Sequence, residues 1–368
     1  MEQVHETVLE IDLKALKHNF QYLKTRVQPN TKVLAVVKAF AYGNDAAEIA
    51  RYLENLEVDY FAVAYTQEGV ALRDAGIKTP ILVLHPQSAN FKTLIARCLE
   101  PSLYSHFVLR EFIAVAEAEK QHHYPVHIKF NTGLNRLGFD PQDVASVVTS
   151  LKKTESVIAK SIFSHLAASE DLREKLFTNN QIKTFTSISE TFTAAIGYKP
   201  MLHLCNTSGI LNYPEAHFDM VRSGIGLYGF GNSEKEDVHF KPIASLKTII
   251  SQIHTIPKGA SVGYNRAFIA SKKTTTATIP IGHADGIGRQ YGNGKACVFV
   301  NNKPAPIIGN VCMDMIMIDI TGISCQEGDE VIVFNQAHTA HSFAQGVNSI
   351  SYEIITAISQ RVKRVFLK

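Results

Sequence analysis

The chain has 368 residues, 45% of them hydrophobic, with 37 basic against 34 acidic residues and a net charge of +3. That is ample for one large domain or two ordinary ones. The weak, scattered charge argues against nucleic acid or an anionic membrane as partner, and no apolar run reaches bilayer length.

The start, Met1-Glu2-Gln3-Val4-His5-Glu6, carries acids and no apolar core, so no signal peptide is expected. Glu6–Leu13 can form a short strand, and Asp12 can cap a helix over Leu13–Val27. Short apolar segments then recur at 33–37, 60–64, 81–84, 102–104, 126–130, 159–163, 201–204 and 219–221. Helix-like stretches separate most of them, at 45–56, 67–75, 88–98, 106–120, 141–152 and 170–195. Eight such units are the pattern of an α/β fold, a (β/α)8 TIM barrel. A doubly wound open sheet would want a Gly-rich phosphate turn after the first strand, and none is present. After Gly231 a polar bridge, 232–237, leads into β-branched runs with close turn signals. The expected organisation is a barrel over 1–233 and a mostly β C-terminal domain over 234–368, with the first strand a candidate member of the latter. Tyr352–Gln360 reads as a closing helix before a basic end. The five cysteines contain no C-x-x-C pair and point to free thiols in a reducing cytoplasm.

In a barrel, catalytic groups lie just past the C-terminal ends of the strands. Lys38 follows the first of the eight segments, and Lys129 ends the fifth with Arg136 in the loop beyond. His165 follows the sixth, His203 lies in the seventh, and Arg222 ends the eighth. Singly, each has a plain structural explanation, such as a core histidine or a strand-end lysine whose head reaches water. Together they crowd two lysines, two arginines and two histidines at one mouth, which must bind anions or hold shifted pKa values. Asn206-Thr207-Ser208-Gly209 and the turn at Gly224-Ile225 offer hydroxyls and N–H groups where barrels commonly bind phosphate. A lysine amine facing a phosphate site is what an aldehyde cofactor anchored by its phosphate requires.

The motif Val-Val-Lys-Ala-Phe-Ala-Tyr-Gly around Lys38 resembles the cofactor-lysine motif of alanine racemases, V-x-K-A-x-A-Y-G-H-G. Further blocks follow the family's order: 129–138, Ser-His-Leu-Ala at 164–167, Val-Arg-Ser-Gly-Ile-Gly-Leu-Tyr-Gly at 221–229, Gly-Tyr at 263–264, Cys-Met-Asp at 312–314 and Tyr-Glu at 352–353. The resemblance implies a pyridoxal 5'-phosphate enzyme interconverting L- and D-alanine for peptidoglycan. It implies a homodimer with shared active sites, in the cytoplasm. Lys38 then matches the cofactor-holding lysine and one base, and Tyr264 the opposite base, supplied by the second subunit. Tyr42, Thr207, Gly224, Ile225 and Tyr352 match phosphate ligands, with Asn206 beside them. Arg222 matches the partner of the ring nitrogen, within a network containing His165 and His203. Arg136 matches the group at the phenolic oxygen, steadied by Lys129, which is carbamylated in some relatives. Met313 matches the N–H that receives the substrate carboxylate, with Asp314 as its neighbour. No metal is implied.

The chemistry explains these residue types. Inversion at Cα needs two proton-transfer groups on opposite faces of a planar centre, and a lysine and a tyrosine serve if burial and cations lower both pKa values. Lys38 would gain from desolvation and Arg222, and Tyr264 from His165 and Arg136. A permanently protonated arginine at the ring nitrogen restrains the cofactor as an electron sink. Several positions depart from the family pattern. Phe40, Asn44 and Asp45 replace Asn, His and Gly; His283 replaces an entrance tyrosine, and Asn310 an arginine. A serine-preferring or broad racemase would share nearly every motif. A pyridoxal-phosphate carrier of the barrel family would lack the β domain and Tyr264, and a related decarboxylase would place an acid where Arg222 stands.

Overall fold

A computed structural model describes residues 6–368. The reading of the first five residues as part of a start without a signal peptide lies outside the described residues. By its internal contacts the chain forms two compact units.

The first unit comprises Lys17–Ala41 and Ala46–Phe240. After β1 (Val8–Asp12), which belongs to the other unit, eight strands close a parallel barrel. They are β2 (Lys32–Val36), β3 (Tyr60–Val63), β4 (Ile81–Val83), β5 (Glu100–Leu103), β6 (Tyr124–Lys129), β7 (Val157–Phe163), β8 (Met201–His203) and β9 (Met220–Ser223). Closure is direct, with Lys32 paired to Met220 and Leu34 to Arg222. Nearly every residue of these strands is buried, as expected where helices cover one face of a sheet and the barrel core the other. This is why they read as continuous apolar runs and not as alternating patterns. The strand expected to begin at residue 102 begins at Glu100, because the carboxylate is answered inside by the Tyr60 hydroxyl (3.1 Å) and the Lys160 ammonium (2.9 Å). The unit also runs past the expected boundary at 233 to Phe240. The polar bridge is a capped turn: Glu236 accepts from the Ser208 hydroxyl (3.0 Å) and the Asn232 N–H (2.8 Å), and Asp237 from the Gly231 N–H (2.6 Å).

The second unit holds residues 6–16, Tyr42–Asp45 and Lys241–Lys368. Its strands are β10 (Ala244–Ile249), β11 (Gln252–Ile256), β12 (Ser261–Val262), β13 (Phe268–Ile269), β14 (Thr274–Ile279), β15 (Cys297–Val300), β16 (Lys303–Ile308), β17 (Ile316–Asp319), β18 (Glu330–Phe334) and β19 (Lys363–Leu367). Nine strands form one sheet in the order β11-β14-β17-β16-β15-β18-β10-β1-β19, while β12 and β13 pair as a separate hairpin. β1 lies antiparallel to β10 and parallel to β19. Lys247 ties this region across strands to Glu10 (2.9 Å) and Glu330 (3.4 Å). The basic end is therefore a strand, β19, whose exposed Lys363 suits an edge that must repel further pairing, while Arg364 donates to the carbonyls of Gly43, Ile358, Ser359 and Val362. The closing helix is Ser351–Ala357, preceded by Ala340–Gln345. No described helix is long and apolar enough to cross a membrane.

The Asp12 side chain accepts the Ala15 N–H at 2.9 Å, capping the helix Leu13–Thr25. The turn after β2 is unusual: Ala39, Phe40, Ala41 and Tyr42 all have positive φ, 51° to 56°. Left-handed turns of ordinary L-residues cost roughly 1–2 kcal/mol per residue. Ala39 is exposed, so replacing it loses no packing. Ala39→Gly is expected to stabilise the protein by about 0.5–1 kcal/mol in urea denaturation, the relief of φ strain less glycine's entropy. Destabilisation would show that the turn carries no strain.

Candidate active site

Within the barrel unit, the strand ends gather the charges. Lys38 begins the left-handed turn, and its ammonium is lowered from its ordinary pKa by burial and then by Arg136, with Glu68 opposing. The charge acting on it is thus Arg136, not the expected Arg222. Glu68, which the sequence reading missed, fixes the turn from below. Its carboxylate accepts the N–H groups of Ala39 (2.6 Å), Ala64 (2.7 Å) and Tyr65 (3.0 Å). The spacing from Tyr65 to Glu68 at a helix start was the available signal.

Lys129 ends β6, where burial first, then Arg136, Arg222 and Lys38, bring its amine down to about 8. Arg136 projects from a loop that Asn131 shapes, its side-chain oxygen accepting the N–H groups of Gly133 (3.1 Å) and Asn135 (3.0 Å). Gly138 closes that loop at φ 134°, where a Cβ would meet Asn131 N at 2.5 Å.

Arg222 is 4% exposed, and both of its Nη atoms are engaged by neighbouring groups. Its Nη1 donates to His203 Nδ1 (2.9 Å), and its Nη2 to the Ser164 carbonyl (2.7 Å), His165 Nδ1 (3.0 Å) and the Leu204 carbonyl (3.1 Å). A guanidinium only donates, so both histidines accept through Nδ1 and carry any single proton on Nε2. Burial and then the neighbouring cations push both imidazoles well below their usual pKa. The charges acting on His165 are all positive: Arg222, Arg136, Lys129 and Lys38. Burial brings Arg222 itself down to about 10, still protonated at neutral pH. The Phe163 ring lies flat on His203 (centroids 4.6 Å apart), with Arg222 Cζ 5.3 Å and Lys129 Nζ 5.8 Å from its centre.

The loops after β8 and β9 meet at the buried Thr207. Its hydroxyl lies 3.1 Å from Ser223 Oγ and accepts the Gly226 N–H at 3.4 Å. A Cβ on Gly226 would stand 2.7 Å from Thr207 Cγ2, so only glycine lets the two loops close. The Asn206 side-chain oxygen caps the helix Thr207–Asn212 through the Gly209 N–H (2.9 Å) and accepts from the Ser169 hydroxyl (2.7 Å). Its side chain therefore sets the turn.

The second unit carries the remaining candidates. Tyr42 and Tyr352 face each other with ring centroids 6.0 Å apart, and burial, then Tyr352, raises the Tyr42 hydroxyl above its ordinary pKa. Tyr264 sits at the tip between β12 and β13, 74% exposed, followed by Asn265 and Arg266 at φ 58° and 51°. The Asn310 side-chain amide donates to the Tyr264 carbonyl at 3.2 Å. Tyr264, Cys312, Met313 and Met317 line one open concavity. Asp314 pairs with Arg361 (2.7 Å), which also holds the buried Asp285 (2.6 Å). His283 is exposed, and its N–H donates to the Cys312 carbonyl at 2.9 Å, bracing the same segment.

Family models for the N-terminal and C-terminal domains of alanine racemase match residues 11–231 and 243–366. The alanine racemase of Thermodesulfovibrio yellowstonii is 37% identical over 367 residues, covering 97% of this chain and 97% of its own. The structure of the Clostridium difficile alanine racemase superposes with a TM-score of 0.93 at 32% identity, covering 98% of this chain and 96% of that one. That of Bartonella henselae alanine racemase, with covalently bound pyridoxal phosphate, gives 0.89 at 28% identity, covering 98% and 99%. With both domain models in order and full-length relatives above 30% identity, the chain belongs to the alanine racemase family.

Proposed function

We propose that this chain is a pyridoxal-phosphate-dependent alanine racemase, interconverting L- and D-alanine and supplying D-alanine for peptidoglycan from the cytoplasm, as a homodimer. The observation that carries the reading is the buried Arg222 cation, bonded to acceptor nitrogens of two histidines at the barrel mouth. The donor set fits the cofactor. Lys38 offers an amine of lowered pKa to an aldehyde, and Thr207 with the glycine turn at Gly224-Ile225 suits a phosphate. When bound, pyridoxal phosphate supplies the electron sink that makes an amino acid's Cα–H removable.

The remaining work falls to the chain's own residues. Lys38 Nζ takes or returns a proton on one face of Cα, and the Tyr264 hydroxyl does so on the other. Arg222 would hold the ring nitrogen by donating a hydrogen bond while keeping its own proton, which would restrain the sink and discourage transamination. Tyr42, held protonated, can only donate to phosphate oxygens, alongside Tyr352 and the Ile225 N–H. Arg136 would hold the phenolic oxygen and the substrate carboxylate, and the Met313 N–H would donate to that carboxylate. The exposure of Tyr264 supports its delivery to a second copy's barrel. The test is direct: enzyme loaded with pyridoxal phosphate should convert L-alanine to D-alanine on chiral separation, and borohydride should fix the cofactor on Lys38. No D-alanine, or an adduct on another lysine, would refute it.

Lys129 yields a pH-dependent expectation. Its folded pKa, about 8, lies below the unfolded value of about 10.4. Below the folded value both states are protonated, and the fold bears the full cost of a buried cation among cations. Between the two values the unfolded chain binds more protons, so stability rises with pH and the cost fades. In cofactor-free protein, Lys129→Met should be more stable than wild type near neutrality, by on the order of 1–3 kcal/mol. In urea titrations that advantage should shrink between about pH 8 and pH 10.4. An advantage that grows with pH would contradict it.

A further inference from the structure

Beneath the mouth, the hydrogen bonds of Arg222 continue down the barrel. Because Arg222 donates to His203 Nδ1, the His203 proton sits on Nε2 and faces Ser161 Oγ at 2.9 Å. Ser161 Oγ lies 2.5 Å from His127 Nδ1, and His127 Nε2 lies 2.7 Å from Glu100 Oε2. Glu100 opens β5, His127 lies in β6, Ser161 in β7, and His203 ends β8. The row thus spans the barrel from the N-terminal end of its strands to the catalytic end. His127, Ser161 and His203 are each 0% exposed, so solvent cannot substitute for a lost partner.

The donors and acceptors close in one arrangement only. Ser161 accepts from His203, so its own proton must go to His127 Nδ1, and His127 must be neutral with its proton on Nε2, aimed at Glu100. A doubly protonated His127 would aim a second donor at Ser161 and leave the serine proton unanswered. A reversed row would set a His203 proton against the guanidinium of Arg222. At the far end Glu100 stays ionised: burial raises its pKa, but the hydrogen bonds it accepts from His127 and Lys160, with the Lys160 charge, hold it below its usual range.

We propose that Ser161 is a positioning residue, the link through which Glu100 and His127 hold His203, and with it the Arg222 guanidinium, in a single orientation. The effect on rate rests on the place given to Arg222 in the proposed racemase site, whereas the proton positions do not. The test uses 15N-histidine-labelled enzyme loaded with pyridoxal phosphate, in which long-range 1H–15N spectra distinguish the two neutral tautomers from imidazolium. His127 and His203 should both be neutral with Nε2 protonated at neutral pH. Ser161→Ala should shift the nitrogens of both rings and lower kcat about three- to tenfold, the worth of one buried hydrogen bond, while KM stays within about twofold. An imidazolium at His127 in the wild type, or unmoved His203 nitrogens in Ser161→Ala, overturns the relay. Unchanged kcat beside shifted rings overturns the positioning role. A wild type that does not racemise alanine would instead count against the proposed function, and the tautomers would still decide the relay.

Discussion

A guanidinium inside a barrel must have its N–H groups answered, since an unpaired buried donor costs on the order of 1–3 kcal/mol and more when charged. For the two Nη groups of Arg222, two carbonyls and two imidazole nitrogens meet that demand. Carbonyls and neutral imidazoles leave its charge uncancelled, and this choice of partners governs the rest of the mouth. His165 and His203 must stay neutral to accept, and burial, with the Arg222 charge beside them, holds them so. Burial, and then the same positive field, lowers the amines of Lys38 and Lys129. A mouth built this way favours ligands carrying phosphate and carboxylate groups, and it keeps a lysine partly ready to act as a base.

Much of this was legible in the sequence because the barrel strands are buried on both faces and so appear as unbroken apolar runs. What stayed hidden was polar residues doing interior work. Glu100 hid the start of β5, because a carboxylate reads as surface until its three partners are known. The 232–237 bridge looked like a linker because its acids cap backbone and hydroxyl groups only once folded. β19 was concealed by Lys363, which suits an edge strand, and by Arg364, whose carbonyl partners gather only on folding. Glu68 escaped notice because its distant target, the Ala39 N–H, becomes its neighbour only through the turn after Lys38.

The departures from the family motif near Lys38 now have a structural setting. Phe40 stands at φ 56° where the motif has asparagine, and Asp45 at φ 78° where it has glycine. Asparagine and glycine tolerate left-handed backbone far better than phenylalanine. The chain therefore keeps the turn while placing in it a phenylalanine that resists it, held by Glu68 at one end. At the other end Arg364 donates to the Gly43 carbonyl at 2.8 Å, and a Cβ on Gly43 would collide with the Ile355 carbonyl. Nothing in the structure explains Asn44 in place of histidine.

The central claim is that a cation which never gives up its proton governs what the bound cofactor can do. Replacing it by a carboxylate, in Arg222→Glu loaded with pyridoxal phosphate, tests this most directly. A carboxylate there would accept a hydrogen bond from a protonated ring nitrogen and so would favour the proton that Arg222 disfavours. With L-alanine as substrate, racemisation and pyruvate release would be counted in the same sample. The account predicts racemisation slower by about a hundredfold and more pyruvate per racemisation turnover, as transamination competes. Unchanged racemisation with the same pyruvate yield would contradict it.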